Sequence, residues 1–278
     1  MNISLCGCGF LGIYHLGVAA CLRKHGQGFL KSVDKVGGAS AGGLVGLVLV
    51  VGQDKIEDCV KFTYDLAEEI RSKKLGALTP GFSLLTPLKT FLETMIPEDA
   101  YKKATDKLYL SLTNVGTNKN EIVSKYSSNE ELIQYLIASS FIPFYAGIRP
   151  ININGQKYKD GGFTDNLLIF PEGRTVLISP FCGRQDISPN DKVGKGYYVN
   201  NNNQIFQINK KNIVRGIHAM FPPSKRVLEN YYCQGYKDAE RFLKTEGFYD
   251  KEEITLDFSK FDFDELELSL SDTDIQVE

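Results

Sequence analysis

Lys35-Val36-Gly37-Gly38-Ala39-Ser40-Ala41-Gly42 is the stretch that decides the fold. The end of a short strand runs into a serine held between two alanines. Residues 41–51 then continue as an almost wholly apolar helix that stops near Gly52. Gly38 and Gly42 lie two positions either side of Ser40, which makes the Gly-x-Ser-x-Gly nucleophile-elbow pattern. The chemistry needs this spacing. The serine stands on a tight strand-to-helix turn, larger residues two positions away collide with that turn, and small neighbours leave room for a bulky ester.

Upstream, residues 3–6 read as a strand and residues 11–25 as a helix ending near Gly26. Between them lies Gly7-Cys8-Gly9-Phe10-Leu11-Gly12. Glycines there let backbone N–H groups converge at a helix N-terminus, an anion site. The same pattern fits a dinucleotide-binding fingerprint, and Asp34 stands about twenty residues on, as that reading requires. Downstream, helical spacing runs over 55–73 and 84–95, with Pro87 in a first turn. Strand alternation at 108–112 pairs with 122–126. A helix follows over 130–139, capped by Ser128 or Asn129, then an Asn154-Gly155 hairpin within 151–158. A strand at 175–179 and an amphipathic helix at 224–245 complete the pattern, and the polar run at 200–204 reads as a surface loop. Alternating strands and helices imply a mostly parallel sheet covered on both faces. Asp160-Gly161-Gly162 leaves the hairpin as a carboxylate followed by two glycines, a geometry that aims a side chain inward or makes an ordinary turn.

Composition narrows the classes. Hydrophobic residues at 42% and charged residues at 24% exclude a disordered chain. A net charge of −2 argues against a nucleic-acid binder. That charge is uneven: residues 250–278 carry eleven acids against two lysines, and the remainder is net positive by seven. The end therefore reads as an acidic, flexible tail after a domain over 1–249, foremost a plain solvated segment, with opposition to contact with anionic lipid as the other reading. Six cysteines without a CxxC pair read as reduced, buried thiols of a cytosolic protein. Three histidines (His15, His25 and His218), with no His/Cys cluster at ligand spacing, argue against a metal. Residues 3–22 are apolar enough to suggest a membrane span, but their four glycines and His15 fit strand, turn and buried helix better. An apolar landing surface for insoluble substrate is sought at Phe82, Leu84, Leu85, Leu88, Phe91 and Leu92, where core packing is the competing reading.

Taken together, three segments resemble the patatin-like phospholipase domain proteins, specifically the adiponutrin and adipose triglyceride lipase branch. They are Ser4-Leu5-Cys6-Gly7-Cys8-Gly9-Phe10-Leu11-Gly12, then Gly38-Ala39-Ser40-Ala41-Gly42, then Asp160-Gly161-Gly162-Phe163-Thr164-Asp165-Asn166-Leu167. Ser140-Phe141-Ile142-Pro143, Ser179-Pro180-Phe181 and Phe221-Pro222-Pro223 support them, in family order over residues 2–249. Two departures stand out: Leu168 where the family often has proline, and apolar Phe10 and Leu11 where many members carry a basic residue.

The resemblance implies an α/β protein of patatin-like three-layer α/β/α sandwich form with a central, mainly parallel sheet. It implies a lipid acyl hydrolase with Ser40 as nucleophile and Asp160 as base. The backbone N–H groups of Gly7, Cys8, Gly9, Phe10, Leu11 and Gly12 form the oxyanion hole, and no cofactor or metal is required. The implied substrate is a long-chain acylglycerol, foremost triacylglycerol, met at a lipid-droplet or membrane surface by a cytoplasmic, peripheral protein. A phospholipase A or lysophospholipase, or an acylglycerol transacylase, would use the same two residues. An α/β-hydrolase-type co-activator protein is implied as a partner. A Ser40–Asp160–His218 triad is the mechanistic rival. A non-catalytic droplet-binding protein and a dinucleotide-binding oxidoreductase are the rivals of other classes.

Overall fold

The computed structural model describes residues 1–191 and 196–250 of the chain. Its strands are β1 (Asn2–Leu5), β2 (Lys35–Gly38), β3 (Leu108–Asn114), β4 (Asn120–Val123), β5 (Ile151–Ile153), β6 (Gln156–Asp160), β7 (Thr175–Ile178), β8 (Tyr198–Asn201) and β9 (Gln204–Gln207). Its helices are α1 (Gly12–His25), α2 (Gln27–Lys31), α3 (Ala41–Val51), α4 (Ile56–Ser72), α5 (Leu85–Met95), α6 (Ala100–Ala104), α7 (Asn129–Ser139), α8 (Lys210–Met220) and α9 (Lys225–Thr245).

The main sheet runs β5-β6-β3-β2-β1-β7, with β4 also on β3. Its centre is parallel: β1 pairs with β2 and β7, and β2 with β3. The antiparallel strands β4, β5 and β6 join through β3. Helices flank the sheet, as the alternation of elements required. Ile3, Leu5, Val36, Leu108 and Leu110 are all buried, because a parallel strand is covered on both faces.

The apolar run over residues 3–22 resolves into β1, a short 3-10 turn (Gly9–Leu11) and α1, whose residues Gly12 to Leu22 are all buried. Among the described residues no helix is long and apolar enough to cross a membrane. Two glycines let α1 lie against α9. A Cβ on Gly17 would stand 2.0 Å from the Tyr232 carbonyl oxygen, and one on Gly235 would stand 2.1 Å from that of Tyr14. Tyr14 then donates to the buried Asp238 carboxylate at 2.8 Å, pinning the same helix pair.

Two readings change, one lies outside the described residues, and two helices are added. The polar run at 200–204 is the turn of a second, two-stranded sheet, β8–β9, with Asn202 and Asn203 at φ 49° and 67°. Two successive left-handed residues match the twist of a hairpin, and asparagine tolerates that conformation. Cys233 is exposed, while the other five cysteines are buried as expected. The acidic tail lies outside the described residues from 251 onward. Its first residue belongs to the domain, since the Asp250 carboxylate accepts from the backbone N–H groups of Gln27 and Gly28 at 2.6 and 3.2 Å, where α2 begins. Helices α2 and α6 have five residues each, too short to show a helical period in sequence.

Candidate active site

Ser40 sits between β2 and α3 at φ 51° and ψ −126°. That conformation is strained for any residue with a Cβ, at about 1–3 kcal/mol. The surrounding fold imposes it. A Cβ on Gly42 would lie 2.1 Å from the Leu5 carbonyl oxygen, so only glycine lets the start of α3 touch β1. The Ser40 amide donates to Ser139 Oγ at 2.9 Å, and Ser139 donates to the Ser111 carbonyl at 2.8 Å. The last turn of α7 thereby fastens the serine turn to β3.

Asp160 ends β6, which is paired with Leu112 of β3. Its N–H donates to the Phe141 carbonyl at 2.8 Å, and its own carbonyl accepts from Thr113 at 2.8 Å. The backbone is thus fixed on both sides, and the carboxylate is turned inward to accept from the Gly162 N–H at 2.7 Å, lining the same cleft as Ser40. Ser40 and Asp160 are 8% and 5% exposed. Burial raises the Asp160 pKa to about 6, against the pull of the hydrogen bonds from Ser40 and Gly162. A carboxylate so placed is a better proton acceptor near neutrality than a free one.

The glycine loop lies beside the pair. Three of its six N–H groups are already engaged: Gly7 donates to Asn166 Oδ1 at 3.0 Å, Leu11 to the Cys8 carbonyl at 3.0 Å, and Gly12 to the carbonyls of Gly9 and Phe10. The N–H groups of Cys8, Gly9 and Phe10, and that of Ala41 beyond the serine, have no acceptor among the described residues. Gly9 takes φ +53°, and a Cβ there would meet the Ala219 carbonyl oxygen at 2.1 Å, so α8 closes directly over the loop. Asn166 returns a bond to the Gly7 carbonyl at 3.3 Å and donates to Gln204 at 2.7 Å, and Gln204 donates to Ser179 at 2.7 Å. Asn166, Ser139 and Gln204 are positioning residues that the motifs alone did not assign. Asn166 stood within a quoted motif without a role, and nothing in sequence marks the other two.

Two cavities meet at Ser40. One is a cleft that also holds Asp160, Gly9, Asn166, Phe163 and Met220. The other is walled by Val45, Val48, Phe62, Leu85, Leu88 and Phe91. The apolar face of α5 therefore lines a cavity running to the serine, where sequence offered a landing surface or plain core. Among the described residues neither cavity is lined by Lys or Arg.

No histidine hydrogen-bonds to Ser40 or Asp160. His218 pairs with the Tyr231 hydroxyl at 3.0 Å, His15 with the Cys6 carbonyl at 2.9 Å, and His25 stacks on Tyr249. The expected absence of a His/Cys cluster fails in space: ligand atoms of Cys6, Cys8 and His15 lie within 4.8 Å of one another, buried behind the glycine loop. Burial pushes both thiols up. Cys8 keeps its proton, while hydrogen bonds from Cys8 and His15 draw the Cys6 pKa down. Extended backbone at Cys6 and the return of α1 bring these groups together, which linear spacing did not suggest.

The profile of the patatin-like phospholipase family matches residues 3–171. The human patatin-like phospholipase domain-containing protein 4 is 47% identical over 250 residues, 90% of this chain and 99% of that protein. The human patatin-like phospholipase domain-containing protein 2 is 39% identical over 250 residues, 90% of this chain but 49% of its own length. The human omega-hydroxyceramide transacylase is 35% identical over 243 residues, 87% of this chain and 46% of that protein. The chain thus spans nearly all of one relative and about half the length of the other two.

Proposed function

Since this chain belongs to the patatin-like phospholipase family, a family of lipid hydrolases and acyltransferases, we propose that it cleaves long-chain acylglycerol esters, foremost triacylglycerol, through Ser40 and Asp160. The observation that carries this reading is the position of Ser40, at the junction of a cleft holding Asp160 and a cavity walled by apolar side chains, the lining an acyl chain needs. Ser40 Oγ attacks the ester carbonyl as Asp160 takes its proton. The oxyanion meets the unengaged N–H groups of Cys8, Gly9 and Phe10, each worth roughly 3–4 kcal/mol in the transition state. Asp160 then protonates the leaving alcohol, and an acyl-serine remains. Water, deprotonated by the same carboxylate, releases the fatty acid. Walls free of Lys and Arg favour a neutral ester over an anionic headgroup at the reacting centre.

Transfer of the acyl group to a second lipid alcohol is the alternative fate of the acyl-serine. The similarity to a protein named a transacylase supports it. Work at a lipid-droplet or membrane surface, and dependence on an α/β-hydrolase-type co-activator, belong to the same proposal.

The test is a substrate panel. Wild type is expected to hydrolyse trioleoylglycerol emulsion faster than phosphatidylcholine vesicles, and a fluorophosphonate probe is expected to label Ser40. Ser40→Ala abolishes both, whereas His218→Ala retains most of the activity. A thousandfold loss in folded His218→Ala would restore the triad, and no labelling of Ser40 would leave a lipid-binding protein.

A further inference from the structure

Helix α8 is built inside out. Its inward face is polar: Asn212 donates to the carbonyls of Cys182 and Gln207 at 2.8 and 2.7 Å, and Arg215 grips Asp191 with two bonds of 2.7 and 2.9 Å. Its outward face is aliphatic, with Ile213 60%, Val214 45% and Ile217 54% exposed, and Phe221 just beyond it 54% exposed. Positions 213, 217 and 221 follow one another at four-residue steps, so they form a single stripe. A water-facing helix ordinarily carries the opposite pattern.

This stripe borders the cleft. Gly216, Ala219 and Met220 of the same helix line it, as does Phe163, half exposed on the other side. Tyr145 hydrogen-bonds to the Met220 carbonyl, which ties α8 to the loop that displays Phe144 and Ile148, each 81% exposed. Charge points to the occupant. Between Asp191 and Glu229 the sequence holds no acid and seven Lys or Arg, among them the exposed Lys210 and Lys211 at the start of α8. Asp191, which precedes this stretch, is ion-paired with Arg215 and Lys211. An exposed apolar stripe with cations beside it and no carboxylate is the composition of a helix lying flat in a lipid interface. At eleven residues, about 16 Å, it is suited to lie along such a surface and far too short to cross it.

We propose that the outward face of α8, with Phe221 and the Phe144–Ile148 loop tip, is the surface on which this protein settles onto an anionic phospholipid layer. The division of labour is physical: cations on the rim meet headgroups, while the cation-free cleft behind them admits neutral ester. The use of this surface rests on the lipid-hydrolase reading above; the contact itself does not.

The experiment is sedimentation of the full chain with phosphatidylcholine vesicles, with and without 30% phosphatidylserine by composition (about 30% is a typical anionic test mixture), alongside hydrolysis of the soluble ester p-nitrophenyl butyrate. Wild type is expected to bind the anionic vesicles at least about tenfold more tightly, less so as salt rises. Ile213→Ser/Ile217→Ser should weaken that binding at least about tenfold, by loss of apolar insertion, with soluble-ester turnover held within about twofold. Leu75→Ser/Leu78→Ser, which alters exposed leucines that line neither cavity and lie outside the proposed surface, should bind as wild type does. Should the isoleucine variant lose its circular dichroism, Lys210→Gln/Lys211→Gln gives the same decision through the anionic preference. Unchanged binding in both α8 variants, or no vesicle binding by wild type, overturns the proposal. So does a wild-type dimer that the isoleucine variant breaks, since the stripe would then be a protein interface. Vesicle binding that maps to α8 without any ester hydrolysis would sink the proposed function and leave the docking surface standing.

Discussion

At the scale of single residues, strain and burial are the signatures of Ser40 and Asp160. The serine holds φ 51° only because β1, β2 and α7 leave its turn no alternative. Ser40→Gly should therefore be more stable than Ser40→Ala by about 1–2 kcal/mol, both being inactive. For a chain of this size that is roughly 2–8 °C in Tm, read by calorimetry. Equal melting temperatures would mean the turn is relaxed. Asp160 yields a pH prediction. Its pKa is raised to about 6 by burial, so a base at this position works above pH 6 and fails as the pH falls through it. The rate of soluble-ester hydrolysis should drop on an acid limb near 6, and a limb near 4 would deny the carboxylate this role. The stability linkage has the opposite sense. A carboxyl whose folded pKa lies above its unfolded value favours the fold while protonated, and that contribution is lost as pH rises from about 4 to about 6. Asp160→Asn should then gain on the order of 1–3 kcal/mol over wild type at pH 8 and little at pH 4, measured by urea unfolding.

Among the elements, the α1–α9 contact bears most on the integrity of the site, because α1 follows directly from the glycine loop. Gly→Ala in a helix ordinarily stabilises by up to about 1 kcal/mol. At Gly235 the new methyl would press on the Tyr14 carbonyl, and backbone cannot swing aside as a side chain does. Gly235→Ala should cost about 3 kcal/mol or more in denaturant unfolding, with Gly216→Ala, whose Cβ would meet nothing within 4 Å, as the permissive control. Matching stabilities for the two variants would disprove the close approach. The same scale explains what was legible. Residues 41–51 and 55–73 carried strong apolar signals and correspond to α3 and α4. Helix α8 leaves little helical signal in the sequence, because its large aliphatic residues face outward while Asn212 and Arg215 are buried with Ala219. Periodicity reports a helix whose apolar face is inside, and here that assumption fails.

For the molecule as a whole, substrate fit is set where helices from separate parts of the chain enclose space. The cavity behind Ser40 draws its walls from α3, α4 and α5. Filling it with Leu88→Trp should lower kcat/KM for p-nitrophenyl palmitate at least about tenfold relative to p-nitrophenyl butyrate, since a blocked pocket penalises only the longer chain. An equal loss on both esters would exclude this cavity as the acyl site. Sequence alone determined the chemistry available: a Gly-x-Ser-x-Gly elbow, a glycine loop after the first strand, a hairpin carboxylate, and an α/β order of elements. Each is local, because turn geometry and period are fixed by neighbouring residues. Only the tertiary structure decided that Asp160 shares a cleft with Ser40 while no histidine hydrogen-bonds to either, and that Asn166 holds Gly7 across 159 positions. It alone gave three of the loop N–H groups acceptors within the protein and turned the aliphatic face of α8 to solvent. These are contacts between segments remote in the chain, settled by how close-packed layers fit together, and no short stretch of sequence encodes that fit.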